Sequence, residues 1–337
     1  MTSADHRCWN CNVDVGASQL SCTACGETLR LGDRYAIRGR IQDGPTGVVY
    51  QAWDEARKCS VALKRPHAKQ AKSSDEGPPA STHYRSLTSL HHPGIAALEA
   101  VEVQNEQLYF VQQLSEGSPF EGVFGVGNAR ASIGEACHVG ERLLETLVYA
   151  HDHGSCHGDI KPGNILLITR RGIHEPVLTD FGIGRRLDAR RTDALLRATP
   201  GYTAPEQVAN RRSEDPRSDL YAVGAILYSM LLGGRIPYHL ALYDGIESEP
   251  EALRRAYEDI ANGDVPLQDI TLPRPDLTAE LASILQRALR PTPTARFHSA
   301  KEMLLGLRAA VEHCVSRSAE GLAAQKLDLS KIEASED

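Results

Sequence analysis

The chain has 337 residues, 41% hydrophobic and 24% charged, enough to bury the core of one large or two ordinary domains. Its formal net charge of −7 excludes a whole-chain attraction to nucleic acid or to an anionic membrane surface, so any cationic function has to be local. No apolar leader occurs in residues 1–30, and the most apolar run, Leu220 to Leu232, is shorter than the ~20 residues that span a bilayer; a soluble, cytoplasmic protein without membrane contact is expected.

The eight cysteines fall into two sets. Cys8-Trp-Asn-Cys11 and Cys22-Thr-Ala-Cys25 form two C-x2-C pairs with ten residues between them, the spacing of a structural, tetrahedral Zn2+ site. Residues 1–31 are too short to bury a core of their own, and metal binding can supply what packing cannot, ~10–16 kcal/mol in zinc-finger peptides. This reads as a zinc ribbon or knuckle; the other reading of the four thiols is two disulfides or free thiols. Cys59, Cys137, Cys156 and Cys314 are scattered and read as buried or inert thiols of a reducing compartment. Two Arg against two Asp and one Glu in residues 1–30 leave no basic stripe for nucleic acid. The ribbon therefore serves either a protein partner or as a structural cap on the larger domain, and Gly32-Asp33 marks the boundary between them.

Arg34 to Ile41 and Val48 to Trp53 are β-rich runs that flank Gln42-Asp-Gly44-Pro-Thr-Gly47, two antiparallel strands joined by a glycine loop. Val61-Ala62-Leu63-Lys64 is a third strand. Ala68 to Ser81 is polar and carries Gly77-Pro-Pro79, a loop. Helical spacing starts near Thr82, with Leu87 and Leu90 on one face, and stops at His91-His-Pro-Gly-Ile95. Ala97 to Gln104 and Gln107 to Leu114 alternate as two further strands. Over Ile133 to His153, Ala136, Val139, Leu143, Leu147 and Ala150 recur at helical spacing, an amphipathic helix whose terminal His151 and His153 read as helix-end cations rather than metal ligands.

Next comes His157-Gly-Asp159-Ile-Lys161-Pro-Gly-Asn164, then Asp180-Phe-Gly182. A carboxylate at Asp159 can take a hydroxyl proton and Lys161 can reach a phosphate oxygen, while Asn164 and Asp180 offer the hard oxygen ligands that Mg2+ prefers. This is equipment for moving a phosphoryl group from ATP to an alcohol. Arg185, Arg186, Arg190 and Arg191 make the next loop basic, and it ends at Thr199-Pro-Gly-Tyr-Thr-Ala204-Pro-Glu206. Asp219 precedes the apolar run Leu220 to Leu232, a helix buried on every side. Ala279 to Leu289 and Ser299 to Val311 are further helices, and Arg317 to Asp337 is a polar tail with few apolar anchors.

The ordered set H-x-D-x-K-x-x-N, D-F-G and A-P-E resembles the protein-kinase family, and its bacterial, eukaryotic-like serine/threonine members in wording. The resemblance implies an α+β, bilobal fold: a kinase domain over residues 33–312, with a β-rich N-lobe at 33–114, a hinge at 113–117 and a helical C-lobe at 118–312, then a tail at 313–337. Lys161, two residues after the catalytic aspartate, matches the serine/threonine branch, which implies Ser and Thr acceptors on protein substrates, the chain itself included at Thr192. Of the pattern G-x-G-x-x-G-x-V, Gly44, Gly47 and Val49 match and Gln42 stands where the first Gly would be. Contacts to ATP are implied for Gln42, Gly44, Gly47, Val49, Ala62, Lys64, Gln113, Ser115, Asn164 and Asp180, with Gln112 at the gatekeeper position, and Mg2+ or Mn2+ held by Asn164 and Asp180. Asp159 is implied as the base, with Thr199 bridging it to Lys161, Asp219 anchoring the catalytic loop, and Glu206 paired with Arg296.

Two further positions depart from the family. His83 falls where a Glu pairs with the ATP lysine, so Lys64 has Asp180, the ATP phosphates or Glu76 as its available partners. Gly158 replaces an Arg that grips an activation-loop phosphate, so that phosphate should not be required. Three functions are compatible with these residues: an active Ser/Thr protein kinase; a pseudokinase acting as a nucleotide-binding scaffold; and, alongside either, an adaptor whose ribbon recruits a protein partner.

Overall fold

The computed structural model describes residues 7–16, 18–44, 47–67, 84, 87–105, 107–181, 199–209, 215–238, 250–271 and 273–313. Expectations about Glu76, His83, Gly182, the four arginines after it, Thr192, Cys314 and the tail lie outside these residues. The chain divides into two compact units, Met1–Gly117 with Val177–Thr192, and Ser118–Pro176 with Asp193–Asp337.

The first unit is built on a six-stranded sheet in the order β1-β2-β3-β4-β6-β5: β1 Arg30–Leu31, β2 Tyr35–Gly44, β3 Gly47–Asp54, β4 Cys59–Pro66, β5 Leu98–Gln104 and β6 Gln107–Gln113. All five ladders are antiparallel. Side chains on a strand alternate between faces, and directly opposed partners share one. The pairs Tyr50↔Leu63 and Leu63↔Val111 therefore put these residues on one face, whereas Val49↔Lys64 and Lys64↔Phe110 put theirs on the other. The first face is apolar: Tyr35, Ile37, Val48, Tyr50, Ala52, Val61, Leu63, Tyr109 and Val111 form one buried cluster, and Trp9 packs against it. Burial pushes the phenols of Tyr35 and Tyr50 up to about 12.

Strand β1 has no counterpart among the sequence expectations, because two residues are too few to show a period. Its place at the sheet edge is fixed by Gln104, whose side chain accepts from Gly32 N at 2.7 Å and donates to Arg30 O at 3.1 Å. The strands predicted at 34–41, 48–53, 61–64, 97–104 and 107–114 are all present within a few residues. Of the helix expected from Thr82, the described part is a single 3-10 turn, Leu87–Ser89.

The second unit is helical. Its elements are α1 Phe120–Phe124, α2 Ile133–Asp152, α3 Pro205–Ala209, α4 Pro216–Leu231, α5 Pro250–Asn262, α6 Ala279–Ala288 and α7 at 300–313, with short strands β7 Ser118–Pro119 and β8 Ile165–Arg170 and the start of β9 Ile173–Leu178. Ser132 Oγ caps α2 by accepting from Glu135 N, and Asp215 caps α4 ahead of Pro216 at the first helical position. From Ser218 to Leu231 every residue of α4 is buried, as an all-round apolar helix requires. Close packing around it needs small residues: a Cβ on Gly140 of α2 would lie 2.9 Å from Leu227, and one on Gly224 would lie 2.8 Å from Ala288. Among the described residues no helix is long and apolar enough to cross a membrane.

Candidate active site

In the helical unit, α2 ends at Asp152 and the chain reverses through Gly154 before the segment Ser155 to Asn164, which has no regular structure except the 3-10 turn Pro162–Asn164. Such a segment needs external partners for its backbone, and Asp219 near the start of α4 provides them. Its Oδ2 accepts from His157 N at 2.9 Å and from His151 Nε2 at 2.9 Å, and its Oδ1 accepts from Gly158 N at 2.7 Å. Asp219 is 1% exposed. Burial by itself would push this carboxyl up; the His151 hydrogen bond, the neighbouring histidines and the Gly158 amide outweigh it and hold the group below the usual carboxylate range. On the other side, Gln207 Nε2 donates to Gly158 O at 2.8 Å. Gly158 itself has φ +75°, a left-handed backbone that suits the residue found there.

Held at His157 and Gly158, the loop brings three predicted site residues together. Asp159 Oδ2 accepts from Lys161 Nζ at 2.8 Å and from Asn164 Nδ2 at 3.0 Å. Asn164 Nδ2 also donates to Asp159 O at 2.7 Å. Both acceptors claim the amide nitrogen, which fixes the flip of Asn164 and leaves its Oδ1 as an oxygen donor suited to a hard cation. Thr199 is expected from the sequence to bridge Asp159 and Lys161. Its N–H is bonded to Thr203 Oγ1 at 3.0 Å, and among the described contacts its hydroxyl meets neither Asp159 nor Lys161.

The predicted pair Glu206 and Arg296 is present and bidentate, with both contacts at 2.7 Å. Arg296 also donates to the carbonyls of Arg290, Pro291 and Arg217, and Ser218 Oγ donates to Glu206, so the charges are paired and saturated. Tyr202 is tied to Ser229 Oγ at 3.1 Å. Gly201, with φ +87°, has no room for a Cβ, which would fall 2.6 Å from Ile236.

In the sheet unit, Lys64 is 4% exposed and its Nζ forms an ion pair with Asp180 Oδ2. Asp180 has a left-handed φ of +59°, and among the described contacts only its Oδ2 is engaged. Ala62 is opposite Gln112 on the same face, and Gln113 N–H is committed to Ala97 O at 2.9 Å. Gln42 lies in the β2 ladder opposite Val49 with a strand backbone, which is why this position tolerates a side chain. Gly47 does not: a Cβ there would come within 2.4 Å of Arg65 O. His67 Nε2, a residue without a sequence signal, donates to Gly44 O at 2.9 Å and so supports the hairpin that carries Gly44 and Gly47. Ser115 is half-buried beyond the end of β6.

The four clustered cysteines converge. Cys8 and Cys25 lie with their Sγ atoms 3.6 Å apart, as do Cys11 and Cys22, and all four lie within 4.8 Å of one another. A disulfide would require about 2.05 Å, whereas four thiolates about 2.3 Å from one ion stand ~3.8 Å apart. Asn10 N–H points at Cys8 Sγ at 3.4 Å, a donor that suits a thiolate. This donor set fits Zn2+ and removes the disulfide reading.

Residues 35–305 match the protein kinase domain model. The chain is 30% identical over 300 residues to a probable serine/threonine-protein kinase of Streptomyces coelicolor, covering 85% of this chain and 41% of that one. It is 29% identical over 278 residues to the serine/threonine-protein kinase PknA of Mycobacterium tuberculosis, covering 80% of this chain and 60% of that one. The chain thus spans about half the length of these curated relatives. Among solved structures, the PknI kinase domain of Mycobacterium tuberculosis is similar in fold, with a TM-score of 0.62 and 23% identity over 86% of this chain and 100% of that one. With the β-rich and helical units, the anchored loop of Asp159 and a domain match along most of its length, the chain belongs to the protein kinase family.

Proposed function

We propose that the protein phosphorylates Ser and Thr hydroxyls of protein substrates at the expense of ATP. The observation that carries this reading is the Asp159 carboxylate, held by Lys161 and Asn164 on a loop that Asp219 and Gln207 anchor from two sides. Asp159 orients the acceptor hydroxyl and takes its proton as the new P–O bond forms. Lys161 screens the γ-phosphate, and Lys64 orients the triphosphate from the face that also carries Val49 and Ala62. Asn164 Oδ1 and the Asp180 carboxylate would hold Mg2+ or Mn2+, which when bound neutralises charge on the β- and γ-phosphates.

Lys64 has Asp180 as a partner, which supports catalysis despite His83 at the usual Glu position. Gly158 has its amide and carbonyl engaged within the helical unit, so the loop is organised without an activation-segment phosphate. We assign the ribbon to residues 1–31, the kinase domain to 33–312 and the tail to 313–337. Transfer of label from γ-labelled ATP to a generic protein substrate, in the intact chain and in Asp159→Asn, tests the reading. Transfer that falls by ~10²–10⁴ in the variant supports it. Nucleotide binding with no transfer in either protein would instead establish the pseudokinase scaffold.

A further inference from the structure

We propose that Trp9 is a positioning residue for the nucleotide site, and that metal occupancy of the four-cysteine cluster thereby sets nucleotide affinity. This rests on the reading of Val49, Ala62 and Lys64 as nucleotide contacts.

Trp9 sits between Cys8 and Cys11, inside the first metal-binding turn, where Asn12 N bonds Cys8 O at 2.9 Å and Cys8 N bonds Val13 O at 2.8 Å. Its indole Nε1 donates to Thr28 O at 3.0 Å, beyond the second cysteine pair, so one side chain ties both turns together. The ring meets Tyr50 edge-on, with centroids 5.6 Å apart and planes at 68°. Trp9 also packs against two hydrophobic clusters, the small one of Cys8, Cys22 and Leu29 and the large one on the apolar face of the sheet.

Tyr50 is buried, and its neighbour Val49 projects from the opposite face, directly across from Lys64. A strand carries both faces on one backbone, so a displacement of Tyr50 displaces Val49, and through the Tyr50↔Leu63 pair it displaces the strand that bears Ala62 and Lys64. The brace exists only while the ribbon is folded. Two buried cysteines and one leucine are too small a core to hold it, so the ion must. Metal loss frees Trp9, uncovers the apolar face and loosens the one that bears Val49 and Lys64.

The experiment uses the full chain. A Trp53→Phe background leaves Trp9 as the sole tryptophan, since the chain has two. Emission of Trp9 and the Kd for magnesium AMP-PNP by calorimetry are measured with zinc bound, after a chelator selective for zinc over magnesium, and after zinc is restored. Expected are a red shift on chelation, a Kd weakened about 2- to 10-fold, and recovery of both with zinc. In the zinc-loaded protein, Trp9→Ala raises the KM for ATP by a similar factor with kcat little changed, and Trp9→Phe, which keeps a ring against Tyr50, restores most of it.

A Trp9→Ala protein that is folded, less stable and normal in nucleotide Kd makes Trp9 merely structural and overturns the proposal, as does an unshifted Trp9 emission once zinc release has been measured. If Trp9→Ala does not fold, the chelated and reconstituted parent decides by the same Kd. Absence of AMP-PNP binding in the zinc-loaded parent overturns the nucleotide reading itself, and with it this proposal; a normal parent Kd beside an unresponsive variant overturns this proposal alone.

Discussion

Asp219 and Arg296 of the helical unit, like Asp54 of the sheet unit, are buried charges saturated by the protein, whereas Lys64 of the sheet unit is not. In the helical unit, Asp219 receives three donors and Arg296 reaches Glu206 and three backbone carbonyls, so each charge is saturated by the protein. In the sheet unit, Lys64 is also buried, but among the described contacts its one side-chain partner is Asp180. A charge that builds the scaffold must have no spare valence, because any unmet group is a standing cost. One that meets a ligand must keep some capacity in reserve.

The largest effect expected from this contrast is on stability. Arg296→Met leaves Glu206 without its cation and three backbone carbonyls without their donor, and should lower the unfolding free energy by ~3–5 kcal/mol. Lys64→Met removes a buried cation whose one described side-chain partner is Asp180 and leaves no backbone carbonyl without a donor, so its unfolding midpoint should stay at or above that of the wild type, while phosphoryl transfer falls by ~10²–10³. Urea titrations of both variants check the comparison. A Lys64→Met protein as unstable as Arg296→Met would end it.

A smaller effect concerns pH. The Asp219 carboxyl sits below its unfolded value of about 3.9, so its contribution is fully present above that value and is lost as pH falls through the lowered native one. Acid should therefore destabilise the helical unit below pH ~4. Asp219→Asn should cost ~1–3 kcal/mol at neutral pH, because its NH2 group faces donors, and should flatten the acid limb. Chemical unfolding monitored at several pH values measures both, and an acid limb as steep in the variant as in the wild type would assign it to other carboxylates.

Much of the molecule is legible in the sequence where one period or one ordered motif carries the information. Strands β2 to β6, the helices α2, α4 and α6, the Glu206 to Arg296 pair and the cysteine spacing all belong to that class. The illegible part lies in contacts that join distant segments through residues of ordinary type. Gln104 pins β1 across 72 residues of chain to Gly32, and Gln207 pins the loop at Gly158; neither glutamine differs in sequence context from a surface residue. His151 presents itself in the sequence as a helix-end cation, since only the tertiary fold brings Asp219 to it. Trp9, in a spacing that announces only metal, gives no sign that it packs against the apolar face of the sheet.

The least of the expected effects tests how far the sheet unit relies on such added supports. His67 stands just after β4, half exposed, with its Nε2–H on Gly44 O and the Asp43 carboxylate 4.0 Å away. An exposed ion pair contributes little, so the hydrogen bond to the hairpin is what matters. A single such bond near solvent is worth the lower end of the usual range, and His67→Ala should raise the KM for ATP about 2- to 3-fold with kcat nearly constant. His67→Gln, which keeps an N–H donor, should recover part of the loss. If His67→Ala leaves KM where it was, the hairpin holds its own shape, and the glycine at position 47, which admits no Cβ against Arg65, becomes the sole local reason for it.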